Sequence, residues 1–436
     1  MINNDFEHYL KAGHGRAYLM VKEDPEKYRD IVMAACRKDY TFNMWVEGSR
    51  AFLTADLIRL FEDEPPFLDA AIERFFATEI DDKPNEVQYL SDLLAEFGMK
   101  RDIYQKYLDL WDRVESMSIS INLERPRWLL DNLEYIAIII LQHTTWKTAK
   151  ELVTDIGQWY LTLDEPVYGS FHWFYGELKD RYGDENVRDK LSELSKESAE
   201  VREFCRVINE KDPKNADKPS LEEVISFLES QDELTSRDIR DYGIRRIGDE
   251  DIGRLAQVAV DTSSLELRAK IVSLYQMDKY RWKWPFDPSC LIEWCHLDNA
   301  ELQEACHHVM TFIVSDDIRE YARTYLQRGF DGDCVCMLVR NYREEDKELL
   351  LSLLAKIPIS EDTHEIWHHI DYTIIVCDLP DEFMIWIYET TLCSFCREDA
   401  VRKLLERGTL PNNYIEECRW DARLDIRRLI EERVDL

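Results

Sequence analysis

Val87-Gln88-Tyr89-Leu90-Ser91-Asp92-Leu93-Leu94-Ala95-Glu96-Phe97 places Leu90, Leu93, Leu94 and Phe97 at the i, i+3, i+4, i+7 spacing of one helix face. Leu221-Glu222-Glu223-Val224-Ile225-Ser226-Phe227-Leu228 repeats the pattern, with Ser220 placed as an N-cap and Pro219 just before it. Prolines mark further starts at Asp24-Pro25, Glu64-Pro65-Pro66, Lys83-Pro84, Arg125-Pro126, Glu165-Pro166 and Leu410-Pro411. Proline suits the first helical turn because its missing N–H has no intrahelical partner there. Read outward in this way, the chain gives on the order of two dozen helices and no significant β-sheet. Ile374-Ile375-Val376-Cys377 is β-branched, but its helical flanks argue against a strand. The expected class is all-α.

Composition agrees. The chain has 436 residues with only 14 Gly and 13 Pro, too few turn-formers for a sandwich or barrel. It carries 55 Lys and Arg against 88 Asp and Glu, a formal charge of −33. Such a charge excludes general nucleic-acid binding, which is driven by releasing counterions to basic side chains. Tyr135-Ile136-Ala137-Ile138-Ile139-Ile140-Leu141, the longest strongly apolar run, is far short of the ~20 residues that cross a bilayer and reads as a buried helix. The first residues show no basic segment leading into an apolar one. Nine of the 11 cysteines lie between Cys290 and Cys418, and an odd count in so long a chain reads as free thiols. A cytoplasmic protein without membrane association is expected.

Self-similarity extends the helical reading. Gly15-Arg16-Ala17-Tyr18-Leu19 returns as Ser49-Arg50-Ala51-Phe52-Leu53, a shift of 34 residues. Helices opening at Asp238, Glu266 and Glu301 follow one another at 28 and 35 residues, and Glu398 and Asp425 continue the series. A helix pair that cannot bury its apolar face alone stacks on its neighbours, so this period predicts a right-handed α-α superhelix, a HEAT-like solenoid. The polar segment Asn209–Ser220 holds two prolines and almost no apolar anchor. It divides an aromatic-rich N-terminal half (1–210) from a C-terminal half (220–436) by a linker or hinge at 211–219.

Gly13-His14-Gly15-Arg16-Ala17, followed by Glu47-Gly48-Ser49-Arg50-Ala51 before a Leu/Ile-rich helix, resembles uncharacterised bacterial HEAT-repeat-like proteins. The resemblance is at the level of fold and covers most of the chain. It implies a curved scaffold that binds another macromolecule, and no reaction. HEAT-like DNA glycosylases grip DNA with a basic concave face, and the charge of −33 departs from that pattern.

Four groups of residues carry candidate chemistry. His14, Arg16 and Arg50 stand near helix starts, where free N–H groups and a guanidinium can hold an anion; the alternative is that Gly13 and Gly15 close the preceding helix and Arg16 pairs with Glu47 or a neighbour. Tyr280, Trp282 and Trp284 alternate with Lys279, Arg281 and Lys283, either as anchors for a partner or base, or as rings folded into the core. His364-Glu365-Ile366-Trp367-His368 has the spacing that sets two imidazoles on one helix face to bind zinc, with Glu365 activating water and Glu389 as a third ligand. The acidic stretch before His364 reads as a helix cap, a poor frame for a rigid metal site. Finally Cys290, Cys295-His296, Cys306-His307-His308, Cys334-x-Cys336 and Cys393-x-x-Cys396 invite a structural metal reading, but a zinc knuckle wants two close pairs on tight turns. Most of these cysteines fall at helical spacing among apolar residues, where Cys packs as a small hydrophobe, and core packing is the reading favoured over metal. The expectation is therefore a non-catalytic scaffold without cofactor that binds a basic protein as an adaptor or inhibitor. A zinc-dependent hydrolase is the alternative, and a nucleic-acid scaffold using the 280–284 loop a third.

Overall fold

The computed structural model describes the chain except residues 1, 42–47, 79–83, 104, 108, 110–133, 135, 139, 142–143, 163–170, 210–218, 232–233, 235–248, 277–283, 358–365, 368–369, 371–378 and 435–436. Among the described residues every regular element is a helix, so the chain is all-α. It divides into two compact units, Met1–Pro213 with Pro411–Leu436, and Lys214–Leu410. That boundary falls inside the 211–219 segment, of which only Pro219 is described.

The first unit opens with α1 (Ile2–Ala12), α2 (Arg16–Glu23), α3 (Pro25–Ala35), α4 (Ala51–Ile58), α5 (Pro65–Phe76) and α6 (Pro84–Glu96). It continues with α7 (Trp146–Thr162), α8 (His172–Tyr182), α9 (Asp184–Glu197) and α10 (Ala199–Asn209). The prolines expected to start helices do so at Pro25, Pro65 and Pro84. In α6, Leu90, Leu93 and Leu94 are fully buried, as their spacing requires. The described part of the 135–141 run is also helical, with Ile136, Ala137, Ile140 and Leu141 in the core. Edge-on aromatic contacts fill the layer beneath α7 to α10: Phe171 lies 6.5 Å from Phe174, and Phe174 6.3 Å from Phe204. Helix α7 approaches α10 through Gly157, where a Cβ would sit 2.0 Å from the Glu200 carbonyl oxygen. Only glycine permits that backbone contact.

The second unit contains α11 (Leu221–Ser230), α12 (Asp249–Asp261), α13 (Leu265–Ser273), α14 (Ser289–Trp294) and α15 (Ala300–Met310). After these come α16 (Asp316–Leu326), α17 (Gly332–Arg340), α18 (Lys347–Leu354), α19 (Asp381–Thr390) and α20 (Ser394–Arg407). Helices close in sequence pack on one another: α12 on α13, α13 on α15, α16 on α17 and α19 on α20. Their starts are capped by side chains that accept backbone N–H bonds: Ser264, Asn299, Ser315 and Asp331. Ser220 forms the expected cap, completed as a capping box by Glu223. Asp346, fully buried, is held by the Arg319 guanidinium at 2.7 and 2.9 Å and by Arg323.

The last two helices, α21 (Asn412–Cys418) and α22 (Leu424–Val434), belong to the first unit. The sequence reading keeps them with the C-terminal half, because nothing local in 411–436 names its partner. Their packing is set by contacts with α2 and α4 from the other end of the chain. Tyr18 stacks on Trp420 with ring centroids 3.7 Å apart and planes 8° from parallel, and Arg427 pairs with Asp56 at 2.7 Å.

Candidate functional site

The residues singled out near the N-terminus do come together. Gly13-His14-Gly15 links α1 to α2, and the His14 Nδ1 accepts the Arg16 backbone N–H at 3.1 Å. The Arg16 guanidinium donates to both carboxylate oxygens of Glu417, at 2.8 and 2.9 Å, and to the Tyr9 hydroxyl at 2.7 Å. A Cβ on Gly15 would lie 1.8 Å from the Glu417 carbonyl oxygen, so the α21 backbone rests directly on this glycine. Arg50 is 1% exposed and donates to the Lys11 and Gly48 carbonyls at 2.7 and 2.8 Å. The donors expected to face an anion are thus turned toward this chain's own carboxylate and carbonyls. Arg16 has an acidic partner, but it is Glu417, far along the chain from the Glu47 or neighbouring residue expected; Glu47 itself lies outside the described residues.

Of the aromatic loop, Tyr280 and Trp282 lie outside the described residues. Trp284 is 5% exposed and packs edge-on against Tyr275 at 5.1 Å and Trp294 at 5.7 Å, so this ring is folded into the core. His364, Glu365 and His368 also lie outside the described residues. Their neighbours Trp367 and Ile370 are buried, and Glu389 sits half-buried on α19.

A site that the sequence did not single out lies in the second unit. Helix α14 with the residues after it, α15 and α16 enclose a cleft of 720 Å³. Glu293, Asp317 and Glu320 stand on its walls together with His296, Arg328 and the rings of Tyr321 and Tyr325. The three carboxylates are exposed, and no ion pair engages any of them among the described residues. Comparison with protein-family models, curated proteins and solved structures finds no match for this chain. The geometry therefore carries the functional argument alone.

Behind the Tyr321 wall is a buried polar cluster. The His307 Nε2 lies 2.7 Å from the Tyr321 hydroxyl, and its Nδ1 lies 3.6 Å from an Asp331 carboxylate oxygen. Asp331 is the N-cap of α17, its other oxygen accepting the Cys334 N–H at 2.8 Å. The ligand atoms of His307, Asp331 and Cys334 all lie within 4.8 Å of one another. Cys295 lines the cleft beside the same cluster, near Cys306, His307 and Tyr321. Interaction with the Cys306 thiol, then with the His307 ring, pulls the Cys295 thiol well below its usual range although burial opposes this. Burial disfavours a charged His307 ring, but Asp331 and Cys295 outweigh it and raise its pKa to about 9. Burial also pushes Asp331 up, yet His307 and the Cys334 N–H leave it below the usual carboxylate value. The arrangement sets the His307 ring beside Asp331 and Cys295 inside the protein, next to an opening.

The other described cysteines behave mostly as expected. Cys36, Cys336 and Cys418 are buried, as are Cys393, at the N-cap position of α20, and Cys396 in its first turn. Residue type singles out Cys295, His307 and Cys334 in the sequence, and Asp331, three residues before Cys334, has the spacing of a cap before a first turn. The link from that turn to His307 and Cys295 is made by the fold.

Proposed function

We propose that the chain is a non-catalytic, acidic helical scaffold that binds a basic protein, and that the cleft between α14, α15 and α16 receives a cationic segment of that partner. The observation that carries this reading is the set of unpaired carboxylates, Glu293, Asp317 and Glu320, beside two tyrosine rings in a cleft of 720 Å³. Carboxylates attract a Lys or Arg head, and a tyrosine face adds a cation–π contact. The cleft of the first unit, 600 Å³ between Tyr175, Arg188, Phe204 and Cys205, has no carboxylate among its lining residues and offers no such complement. Among the described residues no helix is long and apolar enough to cross a membrane.

The scaffold is read as a HEAT-like α-α superhelix. Its support is local. Of the positions that the repeat pattern aligns, Glu266, Glu301 and Asp425 each occupy the second position of their helix, whereas Glu398 is the fifth residue of α20 and Asp238 lies outside the described residues. Ser264 and Asn299 cap the first two in the same way, and helices close in sequence pair within the second unit.

Titration of the full chain with a Lys/Arg-rich peptide tests the function. Binding should weaken at least about tenfold between low and physiological salt, and again in Glu293→Gln/Asp317→Asn/Glu320→Gln, because the contacts are ionic. Binding that ignores both salt and these substitutions would rule the cleft out.

A further inference from the structure

We propose that His307, Asp331 and Cys334 form a binding site for a borderline-soft divalent metal ion, zinc above all, independently of the basic-partner reading. The donor set is one imidazole nitrogen, one carboxylate oxygen and one sulfur. That mixture suits zinc, whereas calcium and magnesium take oxygen ligands.

The distances favour a metal over a hydrogen bond. The 3.6 Å between His307 Nδ1 and the Asp331 carboxylate is too long for a good N–H···O bond. It is close to the roughly 3.4 Å edge of a tetrahedron whose metal–nitrogen and metal–oxygen bonds are about 2.0–2.1 Å. The cysteine sulfur, within 4.8 Å of both other ligand atoms, reaches a tetrahedral position after moving inward by roughly 1 Å.

The surroundings already orient the three ligands. The Tyr321 hydroxyl holds the far nitrogen of the His307 ring at 2.7 Å, which turns Nδ1 toward Asp331. The Cys334 N–H holds one Asp331 oxygen at 2.8 Å and leaves the other facing the ring. Such outer contacts fix a ligand's rotation before any metal arrives. The ligands come from rigid elements: His307 from α15, Cys334 from the first turn of α17, and Asp331 from its cap. Cys295 supplies a further sulfur beside the same ring and lines the cleft, which provides a way in. A bound ion would clamp α15 to the start of α17.

Zinc titration of the metal-stripped full-length chain, followed by metal analysis after desalting, tests the site. One zinc per chain and a raised melting temperature are expected, and cobalt in its place should show thiolate-to-cobalt charge-transfer absorption. Cys334→Ser, close in size to the native residue, should weaken zinc binding by at least about tenfold while keeping the helical circular dichroism; Tyr321→Phe should cost a smaller factor by loosening the ring. The His364-Glu365-x-x-His368 motif is the competing site, so His364→Ala/His368→Ala should keep its zinc. Absence of stoichiometric zinc overturns the proposal, as does zinc retained by Cys334→Ser and lost from His364→Ala/His368→Ala. Neither result bears on peptide binding at the carboxylates.

Discussion

The Arg16–Glu417 contact of the first unit and the His307–Asp331–Cys334 cluster of the second are both made of polar groups drawn from separate helices. They differ in how far their bonding is completed. Arg16 meets oxygens on Glu417 and Tyr9 at 2.7–2.9 Å, and the backbone of α21 is pressed onto Gly15 beside it. In the cluster the ring and carboxylate stop at 3.6 Å and no short bond joins them. Complete, short bonding holds architecture; a gap of about one metal ion's width, between groups that are otherwise held in place, leaves room for chemistry. The Gly-His-Gly-Arg sequence looked like a ligand site and has become a joint between the two ends of the chain. The Cys306-His307-His308 sequence on α15, expected to pack as core, supplies the candidate site.

The largest effect expected follows from that joint. Gly15→Ala places a methyl group 1.8 Å from the Glu417 carbonyl oxygen, and neither backbone can yield without moving a helix. A loss of more than about 3 kcal/mol is expected, as for severe overpacking. The control is Gly176→Ala within α8, where an added Cβ meets nothing within 4 Å. That change should stabilise by up to about 1 kcal/mol by reducing the unfolded chain's freedom. Urea unfolding of the two variants measures both. Equal midpoints would show that the contact between Gly15 and α21 is not a fixed part of the fold, and the comparison would lose its saturated member.

How much of this was legible in the sequence depended on the range of the interactions. Leu90, Leu93 and Leu94, the helix starts at Pro25, Pro65 and Pro84 and the Ser220–Glu223 capping box are local devices, set within one or two helical turns, and these are found where periodicity and capping chemistry put them. The class followed from them. The placing of 411–436 did not, because Glu417 is a partner for Arg16 only once 401 positions of intervening chain have folded. Trp284 was ambiguous for a related reason: a ring in a basic, aromatic segment can anchor a partner or fill a gap, and only Tyr275 and Trp294 decide which. The cluster was hidden because Cys295, His307 and Cys334 each satisfy the pattern of a packed helix face. Their chemistry appears when three helices bring them to one point.

An intermediate effect comes from Asp92, a carboxyl on α6 of the first unit. Burial, then the charges of Asp39 and Glu96, raises its carboxyl pKa to about 7 against a hydrogen bond from Ser49. The folded chain therefore favours the protonated acid more than the unfolded chain does. The stability so gained is fully present below the unfolded pKa near 4 and is lost as pH rises through about 7. Asp92→Asn should flatten this part of the stability profile and gain on the order of 2 kcal/mol at pH 8. Urea midpoints at pH 5 and pH 8 for both proteins give the sign: a variant that loses as much as the native chain between them would place the titrating group elsewhere.

The smallest effect sharpens what completion of a bond is worth. Asp184 and Arg188, one turn apart on α9, approach to 2.6 Å, closer than Arg16 to Glu417, with side chains 49% and 67% exposed. If short distance alone set the energy, Asp184→Asn would cost as much as breaking the Arg16 pair. Water already solvates both ends of the α9 pair, so removing its charge should cost only about 0.5 kcal/mol, part of it from the helix N-terminus. Glu417 is 7% exposed, and its loss would strand a guanidinium against a protein surface that water reaches poorly. Glu417→Ala and Asp184→Asn, measured side by side, separate bond length from desolvation. A cost above about 1.5 kcal/mol at Asp184 would mean that solvent exclusion does not distinguish the joint from the surface.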